Sequence, residues 1–214
     1  MKTIYLVRHG EATVNIKGLD PYWNDIDSPL TDLGREQAAF IAERAVRLPI
    51  DALISSTRPR ARQTSEIISK RIGREVQLSD LFIERCLPSE MIGRSVDDPE
   101  MNDVYDQWVQ TFLVENSRVS DGENFQDISL RAEKALSFLE DIPEQHILVV
   151  THGYFSRILI ARMIFGKDFS VKEWGHFEWG VRTTNTGLSV LKFDPNDKRR
   201  PWWLLVWNDH AHLG

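Results

Sequence analysis

The chain has 214 residues, 42% hydrophobic and 27% charged, a composition typical of a soluble globular protein with one large domain or two small ones. No apolar run approaches the ~20 residues that span a bilayer, and no apolar signal segment follows Met1, so we expect no membrane association. The single cysteine, Cys86, excludes an internal disulfide framework and suggests a reducing, cytoplasmic location. The net charge of -6 argues against nucleic acid as a partner, because phosphate backbones are bound by basic surfaces.

The first predicted element is a buried parallel strand that begins at Ile4 and stops at Arg8, His9 and Gly10. Both of its faces are apolar, as in strands that are covered on both sides of a sheet. The carboxyl end of such a strand opens onto the crevice where α/β proteins bind ligands. We therefore expect Arg8 and His9 at the mouth of a sheet, with Gly10 allowing a close backbone turn.

The rest of the chain alternates between predicted helices and strands. The pattern predicts, in chain order, a loop over 12–30, a helix over 31–48, strands over 52–54 and 75–78 flanking a helix over 59–72, helices over 98–116 and 128–139, a strand over 147–150, a helix over 154–165, and strands over 187–193 and 202–207. This alternation predicts one α/β domain over residues 1–214, a three-layer α/β/α sandwich with a mostly parallel central sheet and an antiparallel edge strand. In the loop, Tyr22 and Trp23 are either a pocket wall or anchors to the core, and the sequence leaves both open.

A cationic segment follows the second strand. Arg58, Arg60 and Arg62 surround Pro59, which suits the first turn of a helix. Arginines in a first helical turn oppose the helix dipole, and a bound anion would offset that cost. We expect Arg60 to face such an anion, and Arg58 and Arg62 to be solvated or salt-bridged.

A second His-Gly pair follows a second apolar run, the same sequence pattern as at the end of the first strand. His152 and Gly153 follow the apolar run that ends at Thr151. Three strand ends would thus bring Arg8, His9, Arg60 and His152 around one tetrahedral dianion, together with the amides at the starts of the following helices. Arginine binds phosphate in a bidentate manner.

These residue types indicate phosphoryl transfer. A neutral imidazole can attack phosphorus and form a phosphohistidine, and a second, protonated imidazole would stabilise the charge on the phosphoryl oxygens. A carboxylic acid must then protonate the leaving alkoxide and later activate water. Glu84 is the first candidate for this acid, with Glu90 and Glu123 in reserve.

No metal or other cofactor is predicted. His210 and His212 have a spacing found in metal sites, but the sequence offers no convincing further ligands. The arginines of the predicted pocket would also repel a cation. The predicted partner is a small phosphorylated substrate, and the sequence does not indicate an oligomeric state.

The sequence resembles the histidine phosphatase superfamily, also called the phosphoglycerate mutase-like family, over residues 4 to about 160. The matching blocks, in family order, are Leu6-Val7-Arg8-His9-Gly10-Glu11 with Asn15 downstream, Asp27 to Ala38, Ser55 to Thr64, and Val149-Val150-Thr151-His152-Gly153. The resemblance implies a phosphoglycerate mutase-like fold, His9 as the nucleophile, and Arg8, Arg60 and His152 as the phosphate pocket. It further implies Asn15 and the Gly153 amide as phosphate contacts.

The resemblance also implies an acid in the region of Glu84, although the segment that follows departs from the family pattern. The usual glycine and Trp-Glu-Gly are replaced by the segment from Pro88 to Gly93. Tyr154 stands where small residues are common, which predicts a narrower pocket.

Three functions are compatible with these features. The first is a metal-independent phosphomonoester hydrolase that works through a phosphohistidine. The second is a cofactor-dependent phosphoglycerate mutase, although the chain is short where mutases of the family carry a mid-chain insertion and a C-terminal tail. The third is a non-catalytic phosphate-binding module, which predicts the loss of a catalytic side chain. The substrate itself is not predicted.

Overall fold

The computed structural model describes residues 1–16, 18–23 and 26–214, so part of the predicted loop over 12–30 lies outside the described residues. The strands in the described chain are β1 (Lys2–Arg8), β2 (Ala52–Ser55), β3 (Val76–Leu78), β4 (His146–Thr151), β5 (Leu188–Phe193) and β6 (Trp202–Asp209). The α-helices are α1 (Asp32–Ala45), α2 (Pro59–Ile72), α3 (Pro99–Gln110), α4 (Phe125–Asp141), α5 (Gly153–Phe165) and α6 (Val171–Gly180).

The strands form one sheet in the order β3-β2-β4-β1-β5-β6. Strands β1, β2, β3 and β4 pair in parallel, whereas β5 pairs antiparallel with β1 and with β6. The register aligns Arg8 with Thr151, so β1 and β4 end at the same level. This pairing places the two His-Gly pairs side by side at one edge of the sheet.

Alternate residues of the central strands enter two separate cores. Ile4 and Leu6 of β1 belong to a cluster that includes residues of α4 and α5, whereas Tyr5 and Val7 pack with residues of α1 and α2. Because successive side chains of a strand point to opposite faces, both sides of the sheet are covered by helices. The predicted three-layer α/β/α sandwich, with a mostly parallel sheet and an antiparallel edge strand, is confirmed.

Several element limits differ from the predicted ones. Helix α4 begins at Phe125, because Asn124 caps it in a reciprocal pair of hydrogen bonds with Asp127. Helix α3 ends at Gln110 and not near residue 116. Helix α6 was not predicted at all; its buried residue, Trp174, packs in the same cluster as α4 and α5. In the described part of the chain, no helix combines the length and apolarity needed to cross a bilayer.

Candidate active site

The two predicted histidines meet at the carboxyl edge of the sheet. His9 follows β1 and His152 follows β4, and their ring centroids lie 5.0 Å apart with an interplanar angle of 60°. Their exposed fractions are only 2% and 0%. The parallel pairing of β1 with β4 produces this contact, since the backbone N–H of His9 donates to the carbonyl of Thr151 at 2.9 Å.

The ring of His9 is fixed in one orientation. Its Nδ1 lies 2.7 Å from the carbonyl oxygen of Gly10, so Nδ1 carries the proton and donates it to that oxygen. Nε2 is then the unprotonated nitrogen, and it accepts a hydrogen bond from Nε of Arg60 at 3.3 Å. Burial, followed by the charges of Arg60 and Arg8, holds the pKa of His9 well below its usual value of 6.5. His9 is therefore neutral at physiological pH.

His152 is neutral in the free protein for similar reasons. Burial and then the charge of Arg60 hold its pKa well below 6.5. Its Nε2 lies 2.7 Å from Oγ of Ser56, while its buried Nδ1 has no partner among the described residues. A buried polar atom without a partner is costly, and a bound anion would satisfy Nδ1 if it carries the proton.

Arg8 reaches the same point across the start of helix α5. Its Nη1 donates to the carbonyl of Thr183 at 2.7 Å, and its buried Nε has no partner in the described chain. Burial lowers the pKa of Arg8, and Glu84 opposes that shift. A Cβ at Gly153 would lie 3.2 Å from Nε of Arg8 and 2.9 Å from Oγ1 of Thr183. Glycine at 153 thus leaves room for this arginine beside the helix terminus.

Of the arginines near Pro59, only Arg60 enters the site. It is the second residue of α2 and is almost fully buried. Arg62 is half-exposed and pairs with Glu66 at 3.8 Å, and Arg58 approaches Sγ of Cys86 at 3.9 Å. The start of α2 therefore contributes one guanidinium to the anion site, together with its positive helix end.

The carboxylate of Glu84 caps helix α5. Oε2 accepts from the backbone N–H of Tyr154 at 3.1 Å, and Oε1 accepts from the N–H of Phe155 at 2.9 Å and of Arg85 at 3.1 Å. Because His152, the N-cap residue, makes no side-chain cap bond, the distant Glu84 fulfils that function.

The two alternative acids lie elsewhere. Glu123 is engaged by Arg131 in two hydrogen bonds, at 2.7 and 2.8 Å. Glu90 accepts a hydrogen bond from Ser120 at the surface. Among the three carboxylates considered from the sequence, Glu84 alone lines the cavity that His9 lines.

Asn15 closes the site from the loop side. Its Oδ1 accepts from the backbone N–H of Ala12 at 3.0 Å and from Nδ2 of Asn185 at 3.3 Å, and Nδ2 of Asn185 also donates to the carbonyl of His9 at 3.1 Å. With Oδ1 engaged, the Nδ2 amide group of Asn15 is the part available to an anion.

Arg8, His9, Asn15, Arg60 and Glu84 line a cavity of about 360 Å³, which we call the phosphate pocket. Its lining residues are Arg8, His9, Val14, Asn15, Arg60, Glu84, Arg85, Gly153, Tyr154, Arg157, Arg182 and Thr183. His152 contacts His9 but is not one of the lining residues. Sequence reasoning did not assign Arg85, Arg157 and Arg182 to the site. Their only signals were the position of Arg85 next to Glu84 and of Arg157 one turn into α5. With five arginines and one carboxylate, the pocket is strongly cationic.

A second cavity of about 540 Å³ adjoins the phosphate pocket, and we call it the aromatic cleft. Its lining residues are Val14, Ile16, Gly18, Asp20, Tyr22, Trp23, Glu84, Arg85, Leu87, Val96, Asp97, Asn102, Tyr105 and Trp108. Trp23 lines this cavity, as the pocket-wall alternative predicts. Its backbone hydrogen bonds, with Arg94 at 2.8 Å and Gly93 at 2.9 Å, connect the loop to an exposed segment.

Tyr154 occupies part of the phosphate pocket wall. Its hydroxyl accepts a hydrogen bond from Nε1 of Trp174 at 3.0 Å, and burial raises its pKa above the usual value of 10.0. The guanidinium of Arg85 lies 4.1 Å from the centroid of its ring. The ring of Tyr154 thus forms part of the pocket wall and packs against Arg85.

No group of three or more His, Cys, Asp or Glu residues in the described chain is arranged to hold a metal ion. His210 and His212, whose spacing suggested such a site, make other contacts. Nδ1 of His210 lies 2.9 Å from the carbonyl of Asn208, and Nε2 of His212 lies 3.0 Å from Oγ1 of Thr186.

Known proteins match this chain over most or all of its length. A family model for the histidine phosphatase superfamily (branch 1) matches residues 4–210. GpmB of Enterobacter sp. strain 638, named a probable phosphoglycerate mutase, is 34% identical and covers 100% of this chain and 95% of its own. GpmB of Escherichia coli O1:K1 / APEC is 30% identical with the same coverage.

Solved structures show the same fold. YhfR of Bacillus stearothermophilus superposes with a TM-score of 0.81 at 26% identity and covers 100% of both chains. The α-ribazole phosphatase of Shigella flexneri gives a TM-score of 0.79 at 25% identity, covering 98% of this chain and 97% of that one. Members of the superfamily are enzymes, either phosphatases or mutases. The chain belongs to branch 1 of the histidine phosphatase superfamily.

Proposed function

We propose that the protein is a metal-independent phosphomonoester hydrolase that acts on a small phosphorylated metabolite through a phosphohistidine intermediate. The observation that carries this proposal is the state of His9. The Gly10 carbonyl fixes its proton on Nδ1, its pKa lies well below 6.5, and its Nε2 lies beside Arg60 in a cationic pocket. A neutral, oriented imidazole next to an anion site is the requirement for attack on phosphorus.

The remaining groups bind the phosphoryl dianion. The guanidiniums of Arg8 and Arg60 neutralise its charge. Their N–H groups also donate hydrogen bonds to the phosphoryl oxygens, over which negative charge is distributed in the transition state. The Gly153 N–H at the start of α5, the amide of Asn15 and Nδ1–H of His152 complete the set. The negative charge of the bound dianion would also raise the pKa of His152, so that this residue becomes the protonated partner only in the complex.

The chemistry then proceeds in two balanced displacements. Nε2 of His9 attacks phosphorus and forms the N–P bond as the P–O ester bond breaks, and protonated Glu84 gives its proton to the departing alkoxide. Glu84 next takes a proton from water, which attacks the phosphohistidine. The N–P bond breaks, inorganic phosphate leaves, and Glu84 is protonated again. Among the described residues, Oε1 of Glu84 accepts two backbone hydrogen bonds and Oε2 accepts one, from Tyr154, so Oε2 is the oxygen suited to this exchange.

A phosphoglycerate mutase is the second candidate, favoured by the names of the 34% and 30% identical relatives. A mutase must exclude water from the site while the histidine is phosphorylated. The phosphate pocket here opens directly into the aromatic cleft, with which it shares Val14, Glu84 and Arg85. This open arrangement supports hydrolysis. A non-catalytic module is the least favoured function, because His9, Glu84 and the arginines line one cavity and His152 contacts His9.

The test is a phosphate-release screen over a panel of phosphorylated metabolites, with the His9→Ala variant as the blank. We expect His9-dependent release of inorganic phosphate without added metal. The panel includes 3-phosphoglycerate with a catalytic amount of 2,3-bisphosphoglycerate. Conversion to 2-phosphoglycerate without phosphate release would establish a mutase instead. No turnover of any compound would favour the non-catalytic phosphate-binding module.

A further inference from the structure

The aromatic cleft has no part in holding the phosphoryl group. It adjoins the phosphate pocket on the side of Glu84 and Arg85, which line both cavities. The acid that protonates the leaving oxygen must lie next to that oxygen. The alcohol portion of a bound ester therefore extends from Glu84 into the cleft, and the chemistry of the cleft walls indicates which alcohol fits.

The walls of the cleft are flat aromatic rings. Trp23 and Tyr105 stack with centroids 4.6 Å apart and an interplanar angle of 24°, and Trp108 lies 5.8 Å from Tyr105. Tyr22 adds a ring that is 54% exposed. Rings of this kind gain most from a flat apolar partner that displaces water from their faces, whereas a small hydroxylated acid would leave them hydrated.

The charge of the cleft is opposite to that of the phosphate pocket. Asp20 and Asp97 lie on its lining with Glu84, and Arg85 is the one cation among the described lining residues. The guanidinium of Arg85 is itself covered by rings, at 4.6 Å from the centroid of Trp108 and 4.1 Å from that of Tyr154. A second negative charge on the alcohol portion would meet two carboxylates, whereas a neutral or cationic group would not be repelled.

We propose that the aromatic cleft selects phosphomonoesters whose alcohol portion carries a flat aromatic ring and no second negative charge. The cleft volume of about 540 Å³ accommodates a ring system of two fused rings with substituents. This inference rests on the proposed hydrolase function, and the experiment below separates the failure of one from the failure of the other.

The first arm compares esters of primary alcohols with similar leaving-group chemistry. Propyl phosphate, 2-phenylethyl phosphate and 2-(2-naphthyl)ethyl phosphate differ mainly in what they place in the cleft. We expect kcat/KM to rise along this series by about tenfold or more, since binding of the ring is realised in the transition state. Equal values for propyl and naphthylethyl phosphate would overturn the proposal.

The second arm alters the walls. Tyr105→Ala removes the ring that stacks on Trp23, and Tyr22→Ala removes a half-exposed ring whose loss spares the core. In both variants, the ratio of kcat/KM for naphthylethyl phosphate to kcat/KM for propyl phosphate should fall toward one. Trp179→Ala, in which a 75% exposed ring of helix α6 is lost, is the matched control and should leave the ratio unchanged. A ratio that survives in both cleft variants contradicts the proposal.

The third arm tests the charge of the cleft. The enzyme should prefer 2-(4-aminomethylphenyl)ethyl phosphate over 2-(4-carboxyphenyl)ethyl phosphate, and Asp97→Asn should narrow that preference. If no ester is hydrolysed, p-nitrophenyl phosphate included, the hydrolase function fails. In that case the binding of 2-(2-naphthyl)ethanol, followed by tryptophan fluorescence, tests the proposed selectivity of the cleft separately. Binding that Tyr105→Ala weakens would support the proposal, and no binding would overturn it.

Discussion

Arg131 and Glu123 form a bidentate ion pair that also holds the segment carrying Glu84. The two hydrogen bonds measure 2.8 and 2.7 Å, and the side chains are 14% and 10% exposed. Arg131 also donates to the carbonyl of Ile83 at 2.7 Å and of Glu84 at 3.3 Å, while Glu123 accepts from the N–H of Cys86 at 3.1 Å. The pair thus fixes the backbone on both sides of the proposed acid.

Glu123→Ala should therefore lower both stability and activity. It leaves the guanidinium of Arg131 buried without its carboxylate partner, which typically costs about 3 kcal/mol of unfolding free energy. Urea unfolding measures that loss, and kcat for an alkyl phosphate should fall because Glu84 is no longer held. Glu90→Ala, at the surface, serves as the control and should stay within about 0.5 kcal/mol of the wild type. Equal midpoints for both variants would show that the pair contributes nothing.

His9→Ala should abolish turnover while the protein still folds. Loss of the nucleophile removes the covalent path, and we expect a fall in kcat of about a thousandfold or more. Rapid quenching with a ³²P-labelled ester should trap an acid-labile phosphoryl group on the wild type but not on the variant. His176→Ala removes an exposed histidine of helix α6 and should keep full activity. An aryl phosphate hydrolysed at the wild-type rate by His9→Ala would exclude this nucleophile.

Most of the fold was predictable because local sequence and tertiary packing agree. The run from Ile4 to Val7 is apolar on both faces, and β1 is covered on both faces. Helix α6 was missed although Val171, Trp174 and Phe177 recur at helical spacing. Its two glycines, Gly175 and Gly180, lower its helix propensity. Trp174 alone is fully buried there. Its ring contacts the ring of Tyr154 in helix α5 and that of Phe177 in the next turn of α6. Tertiary packing, rather than intrinsic propensity, stabilises this helix.

The predicted site residues other than His152 line one cavity, and His152 contacts His9. They come together because parallel strands end at one edge of a sheet, a rule that sequence reasoning can apply. Their roles in catalysis stay predictions. The additional arginines were not predictable in the same way. Arg157 enters the pocket through its place in helix α5, and Arg182 follows the unpredicted α6. The aromatic cleft could not be predicted from local sequence either, because the stacked rings of Trp23 and Tyr105 are far apart in the chain.

Glu84→Gln should impair alkyl phosphates far more than aryl phosphates. A good leaving group such as p-nitrophenolate needs no proton, whereas an alkoxide does, and general acid catalysis contributes about 10² to 10⁴-fold. The measurement is kcat/KM for 2-phenylethyl phosphate and for p-nitrophenyl phosphate in both proteins. Glu90→Gln, which changes an exposed carboxylate outside the cavity, is the control. Equal losses for both ester types would indicate that another residue is the acid.

Chelation of metal ions should not inhibit the enzyme. The proposed pocket neutralises the phosphoryl dianion with arginines, and these would repel a divalent cation from the same space. We expect the rate with p-nitrophenyl phosphate to be unchanged after dialysis against EDTA. Loss of activity on chelation, restored by a divalent metal, would contradict the arginine-based pocket.

The neutrality of His9 and His152 makes the stability of the protein depend on pH. Both pKa values are held well below 6.5 in the folded state by burial and then by Arg60, whereas in the unfolded chain both titrate near 6.5. Below that pH the unfolded state binds more protons, so the free energy of unfolding falls as pH decreases from 6.5 toward the folded-state values. Each histidine contributes a slope of up to about 1.4 kcal/mol per pH unit in this window.

Urea unfolding at pH 7.5, 6.5 and 5.5 measures this dependence. We expect stability to decrease from pH 6.5 to 5.5 in the wild type, and His9→Ala and His152→Gln each to reduce that decrease, because each removes a group that must stay neutral to remain buried. His176→Ala, at an exposed position, should retain the wild-type slope. A slope that neither buried-site variant alters would show that these imidazoles titrate normally in the folded protein.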